Sequence, residues 1–76
     1  MAYRLLIVDD EKDVVSLLKD YFEINHYEAI CAYSGTEALE KITMNPDLIL
    51  LDVNMPDMEG TVLCEKIRKY VACPIL

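Results

Sequence analysis

The chain has 76 residues, of which 54% are hydrophobic, and its 14 acidic and 7 basic side chains give a formal net charge of −7. This length allows one small domain at most, with a modest core. The negative charge disfavours nucleic-acid binding, because phosphate backbones attract Lys and Arg, and it favours a cation as ligand. The high apolar fraction suggests a piece of a larger unit, or a partner.

Neither a membrane anchor nor a disulfide framework is indicated. No apolar run reaches the length of a membrane span and no cleavable leader opens the chain, so we expect a cytoplasmic location and no membrane contact. The three cysteines, Cys31, Cys64 and Cys73, are odd in number and lack C-x-x-C spacing. We interpret them as small buried side chains rather than zinc ligands.

The first part of the chain predicts a strand, a helix and a second strand. The strand Tyr3–Asp9 is apolar without interruption, which is typical of a strand covered on both faces. A helix begins at Glu11 and fades at Asn25-His26, where the chain's only histidine is expected on the surface. Glu28–Tyr33 is a shorter strand whose side chains are smaller than those of the first strand, as is typical of a strand at a sheet edge. The residues expected to face the core from the helix are Val14, Leu17, Leu18 and Tyr21.

The second part repeats the same order of elements. Ser34 and Glu37 have capping-box spacing at the start of a helix that ends at Asn45-Pro46. The strand Leu48–Asp52 follows, and it is again continuously apolar up to its final carboxylate. A third helix is predicted over Thr61–Tyr70, and Pro74–Leu76 begins a fourth strand. The residues expected to face the core are Ala38, Leu39 and Ile42 from the helix after Ser34, and Leu63, Cys64, Ile67 and Tyr70 from the third helix.

This alternation predicts an α/β fold with a parallel sheet between helices. If the second and third strands lie on opposite sides of the first, the carboxyl ends of strands one and three flank a crevice of the kind that binds ligands. Asp9 and Asp10 would then meet Asp52, although 42 residues (52 − 10) separate the nearest pair.

Three neighbouring carboxylates repel one another, by roughly 4 kcal/mol for two unit charges about 4 Å apart at an effective dielectric of 20. Such a cluster persists when protons are shared or when a cation binds. Oxygen ligands with space for water suit Mg²⁺, and a free carboxylate beside the metal can receive a phosphoryl group in line. The alternative is that Asp9, Asp10 and Glu11 only cap the next helix or form a solvated face.

Three segments together resemble the receiver domain of two-component response regulators. They are LLIVDDEKDV at Leu5–Val14, YSGTEAL at Tyr33–Leu39 and DLILLDVNMPDMEG at Asp47–Gly60. An acidic pair after strand one is weak evidence alone, but it becomes specific with a strand-three Asp, a following Met-Pro and a Gly eight residues after that Asp. The resemblance is strongest to regulators with a winged-helix DNA-binding output domain, the OmpR-like class.

The resemblance implies a flavodoxin-like fold and a phosphorylation switch. Asp52 would be the phosphoacceptor, receiving a phosphoryl group from a histidine of a sensor histidine kinase. Asp10 would bind Mg²⁺ directly, Asp9 directly or through water, and Asn54 through its backbone carbonyl. The Asn54 side chain would also tune the lifetime of the phosphorylated form. Pro56 and Gly60 would shape the loop, Pro56 by fixing φ and Gly60 by permitting unusual backbone angles.

The chain departs from the family pattern at its carboxyl end. We expect residues 1–76 to be the amino-terminal part of a receiver domain, with three βα units and the start of strand four. The switch Ser or Thr of strand four, the Lys of strand five, helices four and five and any output domain would lie beyond. One face of strands one and three would then lack cover, so we expect this piece to self-associate. DNA would be contacted only through an output domain.

Two other functions use the same residues. Metal-dependent phosphohydrolases of the haloacid dehalogenase family also carry an Asp nucleophile at a strand end. They favour a second Asp two residues later, where this chain has Asn54. A pure interaction module would keep the fold without phosphotransfer. The truncation keeps this alternative open for the 76-residue piece, while the acidic pair and Asp52 argue that the longer parent is active. A receiver is in any case a signalling domain rather than an enzyme.

Overall fold

The structure, a computed structural model, describes residues 3–52, 58–72 and 75. Its strands are β1 (Arg4–Val8), β2 (Glu28–Ala32) and β3 (Leu48–Leu51). Its helices are α1 (Lys12–Ile24), α2 (Gly35–Lys41), which continues into a 3₁₀ turn at Ile42–Met44, and α3 (Gly60–Arg68). The predicted alternation is confirmed, and the predicted ends differ from these bounds by at most two residues when the 3₁₀ turn is counted with α2. Within these described ranges, no helix is both long and apolar enough to cross a bilayer.

The three strands form one parallel sheet in the order β2-β1-β3. In its register, Leu5 lies beside Leu48 and Val8 beside Leu51. Strands one and three are therefore neighbours and β2 lies at an edge, as predicted. Ile75 forms a parallel bridge with Ile49, which agrees with the start of a fourth strand next to β3.

The sheet lies between two helical layers. Leu6, Val8 and Ile49 pack on the α2–α3 side, and Leu5 and Ile7 pack against Val15 of α1. β1 is thus buried on both faces, which corrects the expectation that one face of strand one lacks cover. Each such buried aliphatic side chain contributes about 1.5–3 kcal/mol through removal from water.

The strand β3 is covered less completely than its sequence predicts. Only Ile49 is fully buried, whereas Leu48, Leu50 and Leu51 are half-buried. Leu48 and Leu50 belong to the cluster on the α1 side, where α1 contacts mainly β1 and β2. The expected lack of cover is therefore present over β3.

The orientation of α1 differs from the predicted one. Val15 is fully buried and Leu18 and Phe22 pack beside it, whereas Leu17 is 71% and Tyr21 60% exposed. The helix carries two overlapping apolar stripes about one residue apart, and contact with β1 and β2 selects one of them. The prediction that Leu17 and Tyr21 face the core was wrong.

The faces of the other two helices agree better with the sequence. Ala38, Ile42, Leu63 and Ile67 are buried, and Leu39 packs against the same cluster. The prediction for Tyr70 was wrong, since its side chain is 74% exposed. The reason is that α3 ends at Arg68, so helical spacing no longer sets the direction of Tyr70.

Side chains cap α2 at its first turn. Ser34 Oγ accepts a hydrogen bond from the Glu37 N–H at 3.1 Å, as the capping-box spacing predicts. The Glu37 carboxylate in turn accepts from the N–H of Tyr33, one residue before the cap, at 3.1 Å. This pair sets the direction in which the chain leaves β2.

The carboxyl end of α1 is closed by a Schellman turn with a residue other than glycine in the left-handed region. His26 has φ 70° and donates its N–H to Glu23 O at 3.1 Å, while Tyr27 donates to Phe22 O at 2.9 Å. The Phe22 and Tyr27 rings meet edge to face at 5.5 Å, which is the apolar contact that accompanies this motif.

The substitution His26→Gly should stabilise the fold. An L-residue pays roughly 1–2 kcal/mol in this conformation, and the extra unfolded-state freedom of glycine offsets about half of it. We expect the free energy of unfolding, measured with urea, to rise by about 0.5–1 kcal/mol. His26→Ala is the control and should give no gain. An equal gain from alanine would show that backbone geometry is not the cause.

Candidate functional site

The backbone holds two aspartates side by side at the carboxyl edge of the sheet. Asp9 follows β1 and donates its N–H to Ala32 O at 3.1 Å, and Asp52 follows β3 and donates to Val8 O at 2.9 Å. The ladder therefore extends one residue past each strand. Since Val8 pairs with Leu51, Asp9 and Asp52 are the next positions in the same register.

A third carboxylate joins this pair. Asp9, Asp10 and Asp52 each offer an oxygen atom, and these atoms all lie within 4.8 Å of one another. Asp9 and Asp52 are half-buried and Asp10 is exposed. The structure thus brings together the three carboxylates that the topology predicted would meet.

Asp9 also has a structural task. Its Oδ1 accepts a hydrogen bond from the Glu11 N–H at 3.0 Å and so closes a local turn. This turn precedes the first hydrogen bond of α1, which runs from the Val15 N–H to Glu11 O at 3.1 Å. Glu11 is the N-cap residue by position and makes no side-chain cap bond. The helix-capping alternative therefore holds for one oxygen of Asp9, and it does not account for three carboxylates within 4.8 Å of one another.

The donor set fits a small, hard cation. Two unit charges 4.8 Å apart repel by about 1 kcal/mol in water and about 3.5 kcal/mol at an effective dielectric of 20. A Mg²⁺ ion with ligands at about 2.1 Å places opposite oxygens about 4.2 Å apart. The cluster is therefore of the right size to close on such an ion through side-chain rotation.

Open space adjoins the carboxylates on the α1 side of the sheet. A cavity of about 270 Å³ is lined by Leu18, Leu50, Asp9 and Asp52, among others. Its wall is apolar except for the two carboxylates. Among the described residues, no side chain fills this space next to Asp52, so a reacting group could approach its carboxylate there.

The remaining predicted site residues are less informative. Asn54 and Pro56 lie outside the described residues. Gly60 is buried as the first residue of α3, after the N-cap Glu59, and its φ is not positive. The unusual backbone angle expected for Gly60 is therefore absent, because the residue adopts the geometry of a helix start.

Sequence reasoning missed an exposed apolar stripe on the helix that begins at the site. Leu17 and Tyr21 belong to it, and Ile24 extends it at 77% exposure. The signal that could have found it is the overlap of two apolar stripes in α1, of which the sheet can cover only one. An exposed apolar surface of this kind is typical of a protein–protein contact.

The cysteines show no sign of a reactive role among the described residues. Cys31 and Cys64 are free thiols of intermediate exposure. Burial raises the pKa of the Cys31 thiol, against the opposing charge of Lys19. A raised pKa keeps the thiol protonated near neutral pH and disfavours nucleophilic chemistry. Cys73 lies outside the described residues.

Comparisons with known proteins agree with this geometry. The family described as "Response regulator receiver domain" matches residues 5–76. The uncharacterized transcriptional regulatory protein YrkP of Bacillus subtilis is 40% identical over 76 residues, which are 100% of this chain and 33% of that protein. The chain thus spans about a third of the length of this curated relative.

Solved structures share the fold closely. A two-component response regulator from Clostridium difficile superposes with a TM-score of 0.92 and 39% identity, over 96% of this chain and 61% of the other. The Vibrio cholerae chemotaxis protein CheY4 superposes with a TM-score of 0.93 and 32% identity, over 99% of this chain and 66% of the other. Since the family match covers nearly the whole chain and the fold is CheY-like, the chain belongs to the receiver domains of two-component response regulators.

Proposed function

We propose that Asp52 accepts a phosphoryl group from the phosphohistidine of a sensor histidine kinase. The observation that carries the proposal is the grouping of Asp52 with Asp9 and Asp10 at one sheet edge in a chain of this family. The acceptor is held by its backbone bond to Val8, and its carboxylate adjoins open space. These features supply the positioning on which phosphoryl transfer depends.

The transfer is a simple exchange of bonds. An oxygen of the Asp52 carboxylate attacks phosphorus, the phosphorus–nitrogen bond breaks with its electron pair staying on nitrogen, and a proton from solvent lets the imidazole leave as a neutral ring. The product is an aspartyl phosphate. A carboxylate nucleophile carries no proton that must be removed, so this step needs no general base, and the chain's own contribution is to fix the acceptor.

We propose that Mg²⁺ is held by the carboxylates of Asp9, Asp10 and Asp52 and by the backbone carbonyl of Asn54. When bound, the ion supplies positive charge that offsets both the carboxylates and the incoming phosphoryl oxygens. The bond from Glu11 N–H to Asp9 Oδ1 keeps the Asp9 carboxylate in place. Asn54 would also tune the lifetime of the product, and Pro56 would shape the loop after Asp52.

The variant Asp10→Asn should separate repulsion from metal binding. Without divalent ions the variant removes like-charge repulsion, so the free energy of unfolding should rise by about 0.5–1 kcal/mol. The gain is limited because Asp10 is exposed and solvent screens its charge. The rise in melting temperature that Mg²⁺ produces in the wild type should be lost. Thermal unfolding of the full gene product, with and without Mg²⁺, measures both effects.

Glu11→Gln is the matched control for this experiment. It removes one negative charge at the neighbouring position, and the Glu11 side chain makes no cap bond. We expect it to keep the Mg²⁺-induced rise in melting temperature. If Mg²⁺ stabilised Asp10→Asn as much as the wild type, the proposed ligand set would be wrong.

Phosphorylation itself is tested with a small acyl phosphate as donor. We expect the full gene product to gain the mass of one phosphoryl group in a Mg²⁺-dependent reaction, and Asp52→Asn to gain none. Repeated phosphate release from unrelated substrates would indicate a phosphohydrolase instead. No modification by a small donor or by any kinase would indicate an interaction module.

The same assay with a sensor kinase as donor examines the exposed stripe on α1. A phosphohistidine on another protein must be brought to Asp52, and Leu17, Tyr21 and Ile24 lie exposed on the helix that starts beside it. We expect Leu17→Asp to slow transfer from the kinase about tenfold or more while transfer from the small donor stays unchanged. Equal slowing with both donors would mean that the variant disturbs the site.

We further propose that the complete regulator acts in the cytoplasm and controls transcription. YrkP is named a transcriptional regulatory protein and extends well beyond the matched region. In this proposal the output passes through a DNA-binding domain of the winged-helix, OmpR-like class, and the receiver itself touches no DNA, as its net charge of −7 favours.

The 76-residue chain alone should self-associate, because Leu48 and Leu50 on the α1 side of β3 are only half-buried. Sedimentation velocity should show a mass above the monomer that rises with concentration. Leu50→Lys should lower the association, whereas Leu17→Lys, the same change on α1, should have less effect. A stable monomer that unfolds cooperatively would contradict this prediction.

A further inference from the structure

A second concave surface lies at the opposite edge of the sheet from Asp52. It is a cavity of about 510 Å³ between the end of α2, its 3₁₀ turn and the end of α3, here called the α2–α3 groove. The 3₁₀ turn precedes β3 in the chain, so the groove lies at the amino ends of the strands. A partner bound there would leave the carboxylate cluster accessible.

The groove combines an apolar floor with a basic rim. Leu39, Ile42 and Val71 supply apolar lining, and Lys66 and Lys69 supply charge. Ile42 is buried in the core, whereas both lysines are exposed. The volume lies in the range of pockets that enclose a ligand or a few side chains of a partner.

The charge of this region is opposite to that of the chain. Residues 65–69 contain three of the seven basic side chains and one acidic one, a local charge of +2 in a chain of −7. An acidic partner is therefore repelled by most of the surface and attracted here. Such a local reversal of sign selects the partner and its orientation.

An exposed aromatic side chain stands beside the lysines. Tyr70 lines the groove and is 74% exposed, and tyrosine is among the residues that contribute most to protein interfaces. Its ring follows the end of α3 and has no place in the core. A polyphosphate or nucleic acid is disfavoured as ligand, because the chain has a net charge of −7 and only two lysines line the groove.

We propose that the α2–α3 groove docks an acidic segment of a partner protein. The segment carries a bulky apolar side chain that lies on Leu39, Ile42 and Val71, flanked by carboxylates that pair with Lys66 and Lys69. Docking there requires neither phosphorylation nor the cation, so the proposal stands apart from the role of Asp52.

A displayed library of random peptides, selected on the full gene product, tests the proposal. The variant carrying both Lys66→Glu and Lys69→Glu serves for counter-selection. We expect the recovered peptides to combine Asp or Glu with a large apolar residue. Fluorescence anisotropy with labelled copies should show affinity falling by about tenfold or more in the counter-selection variant, because like charges then meet.

The matched control carries Lys12→Glu and Lys19→Glu, the same charge change on α1, and should keep the affinity within about threefold, since exposed charges far from a contact add little. Asp52→Asn should also bind normally, which separates this test from that of phosphorylation. Recovery of no peptide, recovery of basic peptides, or equal loss in the control would overturn the proposal. So would a groove variant that lowers self-association while no peptide is recovered, which would assign the surface to a second copy of this chain.

Discussion

The pairing of β1 with β3 is the constraint on which the rest of this structure depends. Asp47 N–H donates to Arg4 O at 2.7 Å at the amino end, and Asp52 N–H donates to Val8 O at 2.9 Å at the carboxyl end. These bonds hold in register two strands that are more than forty residues apart in the chain. A shift of one residue would turn the side chains of β3 to the opposite faces of the sheet. The core side chain Ile49 and the acceptor Asp52 are therefore positioned by the same ladder.

The carboxylate cluster opposes the stability that this ladder supplies. Asp9 contributes to the fold through its bond to the Glu11 N–H, but its proximity to Asp10 and Asp52 adds repulsion. The bond to the Glu11 N–H gives one of these carboxylates a role in the turn before α1. Repulsion among three carboxylates at one edge lowers the free energy of unfolding of the metal-free protein, and a bound cation would offset that repulsion. Residues at functional sites often lower stability in this way. The physical conflict is itself a reason to regard the cluster as functional.

The sequence predicted those features that follow from local period and from topology. Continuous apolar runs located β1 and β3, the Ser34–Glu37 spacing located the start of α2, and strand order brought Asp9 and Asp10 to Asp52. It failed where tertiary contact decides between local options. In α1, two pairs of residues could each face a core, Leu17 with Tyr21 and Val15 with Phe22. Contact with the sheet decides that the second pair is covered. Tyr70 was misassigned because α3 ends at Arg68, and the apolar pattern continues past that end.

The carboxylate cluster and the α2–α3 groove carry opposite charge, and one helix spans the distance between them. Acidic side chains gather at the carboxyl ends of the strands and basic ones at the end of α3. Over its nine residues α3 extends about 13 Å, beginning at the buried Gly60 and ending beside the groove. Leu63 and Ile67 are fully buried in the cluster that includes Leu6, Val8 and Ile49 of the sheet. The core that supports the strands below the carboxylates therefore also supports the helix that ends beside the groove.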